Sequence, residues 1–298
     1  MPRAAANGIE IEYETIGDPG DPPLLLVMGL GAQMGSWDPD LCQGFVDRGF
    51  FVIRFDNRDV GLSTKIDTDV DAMSLLVASF LGQEADTDVE PPFLLVDMAA
   101  DAFGLLDALG IDAAHIVGAS MGGMIVQTMA ITHPERVLSM TSIMSTTGDP
   151  DVGQPNPEIL GLLLEAAPSE REAYIEHSVA GSRAIGSPEH FEEDRARAKA
   201  ALAFDRCFYP AGTAHQLLAI VASPSRSEEL KKVEINTLVI HGDADPLVNM
   251  TGGQRTAEVI PGADLMILEG MGHDMPSVYW PTVIEAITAL AVRSSVDA

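Results

Sequence analysis

The sequence predicts an α/β domain: a mostly parallel central sheet with flanking helices and a helical cap inserted late in the chain. Three observations predict it. Short apolar, β-branched runs alternate with segments of helical spacing, the order that right-handed β-α-β crossovers produce. A serine stands among glycines in "VGASMGG" (117–123), where one such run ends and a helix begins. Finally, roughly ninety residues separate the strand candidate at 136–144 from the next at 236–242, too many for a structureless loop.

Taken in order, "GIEIEYETIG" (8–17) alternates with period two and reads as a half-exposed strand or hairpin, which "DPGDPP" then turns. "LLLVMG" (24–29) is a continuous apolar run ending in glycine, as a buried parallel strand requires. "FFVIRFD" (50–56) follows as a strand, "DMAADAFGLLDALG" (97–110) as a helix, "HIVG" (115–118) as a strand and "MGGMIVQTMAITH" (121–133) as a helix. "RVLSMTSIM" (136–144), "NTLVIHG" (236–242) and "GADLMILEG" (262–270) supply three more strands, and "PTVIEAITALAVR" (281–293) closes the chain as a helix. Between 144 and 236, the segments 168–186, 188–204 and 214–222 carry good helix formers with Pro and Gly between them. The expected organisation is a core of 1–144 and 231–298 with a cap at 145–230. A smaller lid-like insertion at 64–96 holds an apolar helix at 70–82, whose plainer reading is an extra packing helix.

Seventeen basic against forty-five acidic side chains give a net charge of −28 over 298 residues. Such a surface repels phosphate backbones and anionic membranes, so neither nucleic acid nor stable membrane association is expected. Salt screens this self-repulsion, and stability is therefore expected to grow with ionic strength. The opening "MPRAAANGIE" turns acidic where a secretion signal needs an apolar stretch, and no apolar run approaches membrane-spanning length. The expectation is a soluble, cytoplasmic protein. Cys42 and Cys207 lie in no paired metal or redox motif and read as free, inert thiols.

Gly118-Ala119-Ser120-Met121-Gly122 fits G-x-S-x-G, a pattern that this composition yields by chance roughly 0.15 times. Its placement between a strand and a helix is what makes it specific: a sharp turn lifts the serine oxygen above the sheet, and bulk at either flank clashes with neighbouring backbone. A serine hydroxyl needs a base, and an imidazole oriented by a carboxylate is expected downstream in the order Ser, Asp or Glu, His. Of seven histidines, His115 precedes the serine, and His133 stands where it can satisfy the last carbonyls of its helix. His177, His190 and His215 fall in the cap, and His241 comes too early. His273, in the loop "EGMGHDMP", is the base candidate. "HGDADPLV" (241–248) offers Asp243 and Asp245; Asp245, deeper in the loop and before a proline, is favoured, and Asp243 is the alternative that caps the turn. An oxyanion hole needs two backbone N–H groups, for which Met121 and Leu30 are the candidates, the latter within the glycine loop "VMGLGAQMGSW" (27–37). No phosphate-binding signature follows that loop.

"LLLVMGLG", "VIRFDNRDVGLS", "DMAADAFGLLDALGI", "VGASMGG", "HPERV", "LVIHGDADPLV" and "GMGH" follow one another in a familiar order. Over nearly its whole length the chain resembles the α/β-hydrolase superfamily and, within it, cap-bearing carboxylesterases of the aclacinomycin methylesterase kind. The resemblance puts the nucleophile on Ser120, the acid on Asp245, the base on His273 and the oxyanion donors on Leu30 and Met121. It implies hydrolysis of small-molecule esters without metal or organic cofactor. Where many relatives open the oxyanion loop with His-Gly, this chain has Met28-Gly29, which changes what props the loop but not the donor. Asp56 and Arg58 can brace that loop or form a surface pair. A serine at the nucleophile position sets the chain apart from dehalogenases and epoxide hydrolases of this fold, which carry aspartate there. Two other readings of the same residues are a lactonase or carbon–carbon bond hydrolase, and a non-catalytic binder that kept the fold.

Overall fold

The computed structural model describes residues 1–80 and 90–296, and its backbone opens with a hairpin. β1 (Arg3–Ala6) and β2 (Ile9–Ile16) pair antiparallel across Asn7-Gly8, whose positive φ values of 48° and 80° suit a tight hairpin turn. β3 (Pro23–Val27) leads through a loop to α1 (Pro39–Val46), which Asp38 caps by accepting the Asp40 amide at 3.0 Å, with Pro39 at the first helical position. β4 (Phe51–Phe55) and α2 (Ala72–Phe80) follow. The last two positions of the helix expected at 70–82 lie outside the described residues, as do most of the acidic residues after it. α3 (Leu95–Ala108) begins where the Asp97 carboxylate accepts the Leu94 amide at 2.8 Å. It ends at Gly110 (φ 71°), beyond which the Ile111 amide returns to the Leu106 carbonyl.

β5 (Ala114–Ala119), α4 (Met121–Thr132) and β6 (Val137–Ile143) complete the first half of the sheet. Between β6 and the next strand come α5 (Pro157–Leu160), α6 (Arg171–Ile185), α7 (Glu193–Arg206), α8 (Pro210–Ala222) and α9 (Ser227–Leu230). These fill the long interval in which the sequence predicts helices. β7 (Thr237–Gly242), α10 (Thr251–Val259), β8 (Asp264–Leu268) and α11 (Trp280–Val296) end the chain.

The strands form one eight-stranded sheet in the order β1-β2-β4-β3-β5-β6-β7-β8, parallel except where β2 meets β1 and β4. Alternate residues of its central strands feed two cores. Leu25, Val27 and Ile116 face α3 and α4, while Leu24, Leu26 and Val117 face the layer of α1 and α11. All of β5 is buried, which explains a run with no polar alternation. Leu76 of α2 is fully buried against Leu217 and Leu218 of α8, with Leu30 beside them.

Chain direction across the sheet reverses between β3 and β5, since β3 steps outward to β4 and β5 steps the other way to β6. The crevice beyond the carboxyl ends of such strands is where open α/β sheets bind ligands. Register aligns those ends: Val27 sits opposite Gly118, Ala119 opposite Ile143, and Gly242 opposite Leu268.

Candidate active site

Ser120 occupies the single residue between β5 and α4, at φ 56° and ψ −120°. For a residue with a Cβ this conformation is strained, by about 1–3 kcal/mol, and persists only where surrounding structure dictates it. The surroundings are specific. A Cβ on Gly118 would stand 2.1 Å from the Gly122 carbonyl oxygen, and one on Gly122 would stand 2.1 Å from that of Val27, so both flanks of the pattern require glycine. The Ser120 amide donates to the Ile143 carbonyl at 2.9 Å, and the Ser145 hydroxyl donates to the Ser120 carbonyl at 2.8 Å.

Above this turn, His273 Nε2 lies 2.9 Å from Ser120 Oγ and His273 Nδ1 lies 2.7 Å from Asp245 Oδ2. Three side chains separated by up to 153 positions thus meet in one line. Asp245 Oδ1 accepts the Leu247 and Val248 amides, each at 2.9 Å. Burial pushes the Asp245 carboxyl up, but the charge of His273 and hydrogen bonds from His241, His273 and the Val248 amide outweigh it and bring its pKa down to about 2. The carboxylate is therefore charged throughout the neutral range. Asp243 does not reach the imidazole; its carboxylate accepts the Gly270 amide at 2.7 Å and ties together the two loops that carry Asp245 and His273.

Five of the other histidines make contacts of their own. His115 Nδ1 meets Ser139 Oγ at 2.8 Å, and burial lowers its pKa to about 4. His215 Nδ1 meets Asp59 Oδ2 at 2.8 Å, and the rings of His133 and His190 stand edge-on to Phe103 and Tyr279. The His133 side chain pairs with Glu135 at 3.1 Å; it is the His133 backbone amide that reaches a helical carbonyl, that of Met129 at 2.9 Å. His241, fully buried, directs Nε2 to the Val248 carbonyl at 2.8 Å and to Asp245 Oδ2 at 3.5 Å. Burial raises the Cys42 thiol to about 11, in keeping with an inert role.

The loop holding Leu30 runs against the serine. A Cβ on Gly29 would lie 3.1 Å from Ser120 Cβ. Among the described residues, neither the Leu30 nor the Met121 amide donates a hydrogen bond, although neighbouring amides do. The Gly31 amide donates to Gln216 Oε1 at 2.8 Å, Gln216 Nε2 donates to the Arg58 carbonyl at 2.8 Å, and Asn57 Nδ2 donates to the Met28 carbonyl at 2.9 Å. Asp56 and Arg58 are buried and do not pair with each other, which rules out a surface pair. Asp56 accepts the Met34 and Leu62 amides at 2.8 Å and Arg206 Nη1 at 2.6 Å, whereas Arg58 clasps Asp101 with two bonds of 2.6 Å. Sequence reasoning missed Gln216, Asn57 and Ser145, whose partners lie as many as 185 positions away. Among the described residues, no cluster of three or more His, Cys, Asp or Glu side chains is arranged to hold a metal ion. Nor is any described helix long and apolar enough to cross a membrane.

A strained serine elbow, an imidazole between it and a carboxylate, and two nearby amides that donate to no partner thus lie together at the carboxyl edge of a doubly wound sheet. Residues 22–276 match the α/β hydrolase fold family, and the chain belongs to that family. Among characterised relatives, it is 30% identical over 301 residues to the rhodomycin D methylesterase of Streptomyces peucetius, spanning 93% of each chain. Among solved structures, it resembles an enol-lactonase from Burkholderia xenovorans, with a TM-score of 0.72 at 22% identity, covering 99% of this chain and 100% of that one. A meta-cleavage product hydrolase from Pseudomonas fluorescens gives 0.74 at 18% identity, covering 99% and 98%. At those identities the two structures share the fold.

Proposed function

We propose that this chain is a serine hydrolase that cleaves carboxylic esters of small molecules through an acyl-enzyme. The observation that carries the reading is the position of His273, within hydrogen-bond distance of both Ser120 Oγ (2.9 Å) and Asp245 Oδ2 (2.7 Å). Ser120 Oγ attacks the ester carbonyl carbon while His273 Nε2 takes its proton, and Asp245 holds the Nδ1–H and steadies the imidazolium. The carbonyl oxygen becomes an oxyanion between the Leu30 and Met121 amides, at the positive end of α4. Collapse of this intermediate breaks the bond to the alcohol, which leaves with the proton from His273. Water, deprotonated by His273, then attacks the acyl-serine, and the acid departs as Ser120 recovers its proton.

One circumstance supports a carboxylic ester over other acyl compounds: a methylesterase is the relative at 30% identity. We read residues 145–230 as a cap over this site. The apolar packing of α2 and α8 beside Leu30 favours a substrate with a hydrophobic part. Two free cysteines accord with work in the cytoplasm. The test is Ser120→Ala assayed on a chromogenic short-chain ester: turnover should vanish from a folded protein, and near-normal turnover would overturn the reading.

A further inference from the structure

The loop that carries His273 is gripped from outside the sheet. Three consecutive residues of it, Gly272, His273 and Asp274, bond to Ile185 at the end of α6 and to Ser187 in the turn that follows. The Gly272 amide donates to Ser187 Oγ at 2.9 Å, and the His273 amide donates to the Ile185 carbonyl at 2.7 Å. Asp274 Oδ1 accepts the Ser187 amide at 2.9 Å and the Ser187 hydroxyl at 2.5 Å. The two backbones touch, since a Cβ on Gly272 would fall 2.4 Å from the carbonyl carbon of Gly186. A few residues on, the Glu192 carboxylate accepts the Ser277 amide at 2.8 Å and its hydroxyl at 2.9 Å. Ser187 itself is fully buried.

Gly270 and Gly272, just before His273, bring no side chains to steer the loop, so its course is set by what grips it: the Asp243 carboxylate on the Gly270 amide at 2.7 Å from one side, and the α6–α7 turn from the other. The imidazole reaches Ser120 only while its loop stands at one height above β5. We propose that Ser187 and Asp274 are positioning residues for the catalytic base, joining the α6–α7 turn to the His273 loop so that the imidazole meets Ser120. The Ser187 hydroxyl suits this task because it can donate to Asp274 and accept from Gly272 at once. The inference rests on the reading of His273 as base and Ser120 as nucleophile. It adds that helices outside the sheet set the geometry of the base, so a shift of α6 and α7 is felt at the reacting oxygen.

The experiment measures the rate and the final stoichiometry of Ser120 labelling by a small organophosphonate, together with kcat and KM for a short ester, in wild type, S187A, D274A and D274N. A drift of about 1 Å in a reacting group costs roughly 100-fold. S187A and D274A should therefore label at least tenfold more slowly and lose kcat by a similar factor, with KM little changed and the endpoint still one label per chain. D274N, whose side-chain oxygen accepts the same bonds, should stay near the wild-type rate. Wild-type labelling rates in D274A would overturn the proposal, even if S187A failed to fold. A purely structural role would also overturn it: the endpoint would then fall while the rate per labelled chain stayed constant. Failure of the underlying reading looks different, because wild type itself would then not label at Ser120.

Discussion

Replacing Gly122 by Ala perturbs the candidate site through a single carbon. That Cβ would stand 2.1 Å from the Val27 carbonyl oxygen, 2.7 Å from its carbon and 3.0 Å from the Met28 carbonyl oxygen. A comfortable C···O contact is about 3.3 Å, so α4 and the end of β3 must part by about 1 Å. Both obstacles are backbone, and no rotamer change relieves them. Alanine's helix preference contributes about 1 kcal/mol in the opposite direction, against about 1–3 kcal/mol for overpacking, so the net loss of stability is at most about 2 kcal/mol. For a chain of this size that lowers Tm by no more than about 8 °C. Activity should suffer far more. The displaced backbone leads directly to Leu30, and an oxyanion donor lost or misplaced costs about 10²–10³ in kcat. The assay is hydrolysis of a chromogenic ester by purified G122A alongside a thermal melt. A folded variant with kcat within about threefold of wild type would refute the argument that this close approach shapes the site.

Three further outcomes follow from the same geometry. Ser120→Gly relieves the positive φ that Ser120→Ala retains, so although both should be inactive, S120G should melt about 2–4 °C above S120A; equal or reversed values by circular dichroism would show the elbow to be unstrained. The Asp245 pKa is lowered in the fold, to about 2, so its contribution of about 2 kcal/mol is present above the ordinary carboxylate value and lost as pH falls through about 2. In urea titrations the stability gap between wild type and D245N should narrow from pH 5 towards pH 2, and a constant gap would count against the assignment. Arg58→Met leaves Asp101 buried without its partner, a loss of about 3–5 kcal/mol at neutral pH. Burial already pushes the Asp101 carboxyl up, and without Arg58 it takes up a proton more readily. The deficit should therefore shrink in mild acid, whereas one independent of pH would contradict the pairing.

Much of the fold was legible because its central strands are buried on both faces and read as apolar runs, as "LLLV" and "HIVG" do. β1 was not, since "RAAA" lacks β-branched residues, although Asn7-Gly8 after it is a hairpin signal. α1 and α10 carry little signal either: both are short, and "TGGQRTAEV" spends two positions on glycines that stand close to Thr146 and His241. Ser120, Asp245 and His273 could be named because each follows a strand in a fixed order, so topology stands in for distance. The residues that hold them, such as Ser145, Ser187 and Gln216, carry no such mark. Their bonds join elements far apart in sequence, and an isolated buried serine or glutamine disturbs no periodicity. For Asp56 and Arg58 the sequence leaves open a brace for the glycine loop or a surface pair; in the fold Asp56 accepts the Met34 amide of that loop and pairs with Arg206, while Arg58 goes to Asp101.

If Ser120 carries the acyl group during turnover, mass spectrometry of the protein acid-quenched during hydrolysis of a p-nitrophenyl ester will find the mass of one acyl group on the peptide containing Ser120, and no adduct in S120A. An acyl group on another residue, or steady turnover by S120A, would contradict it.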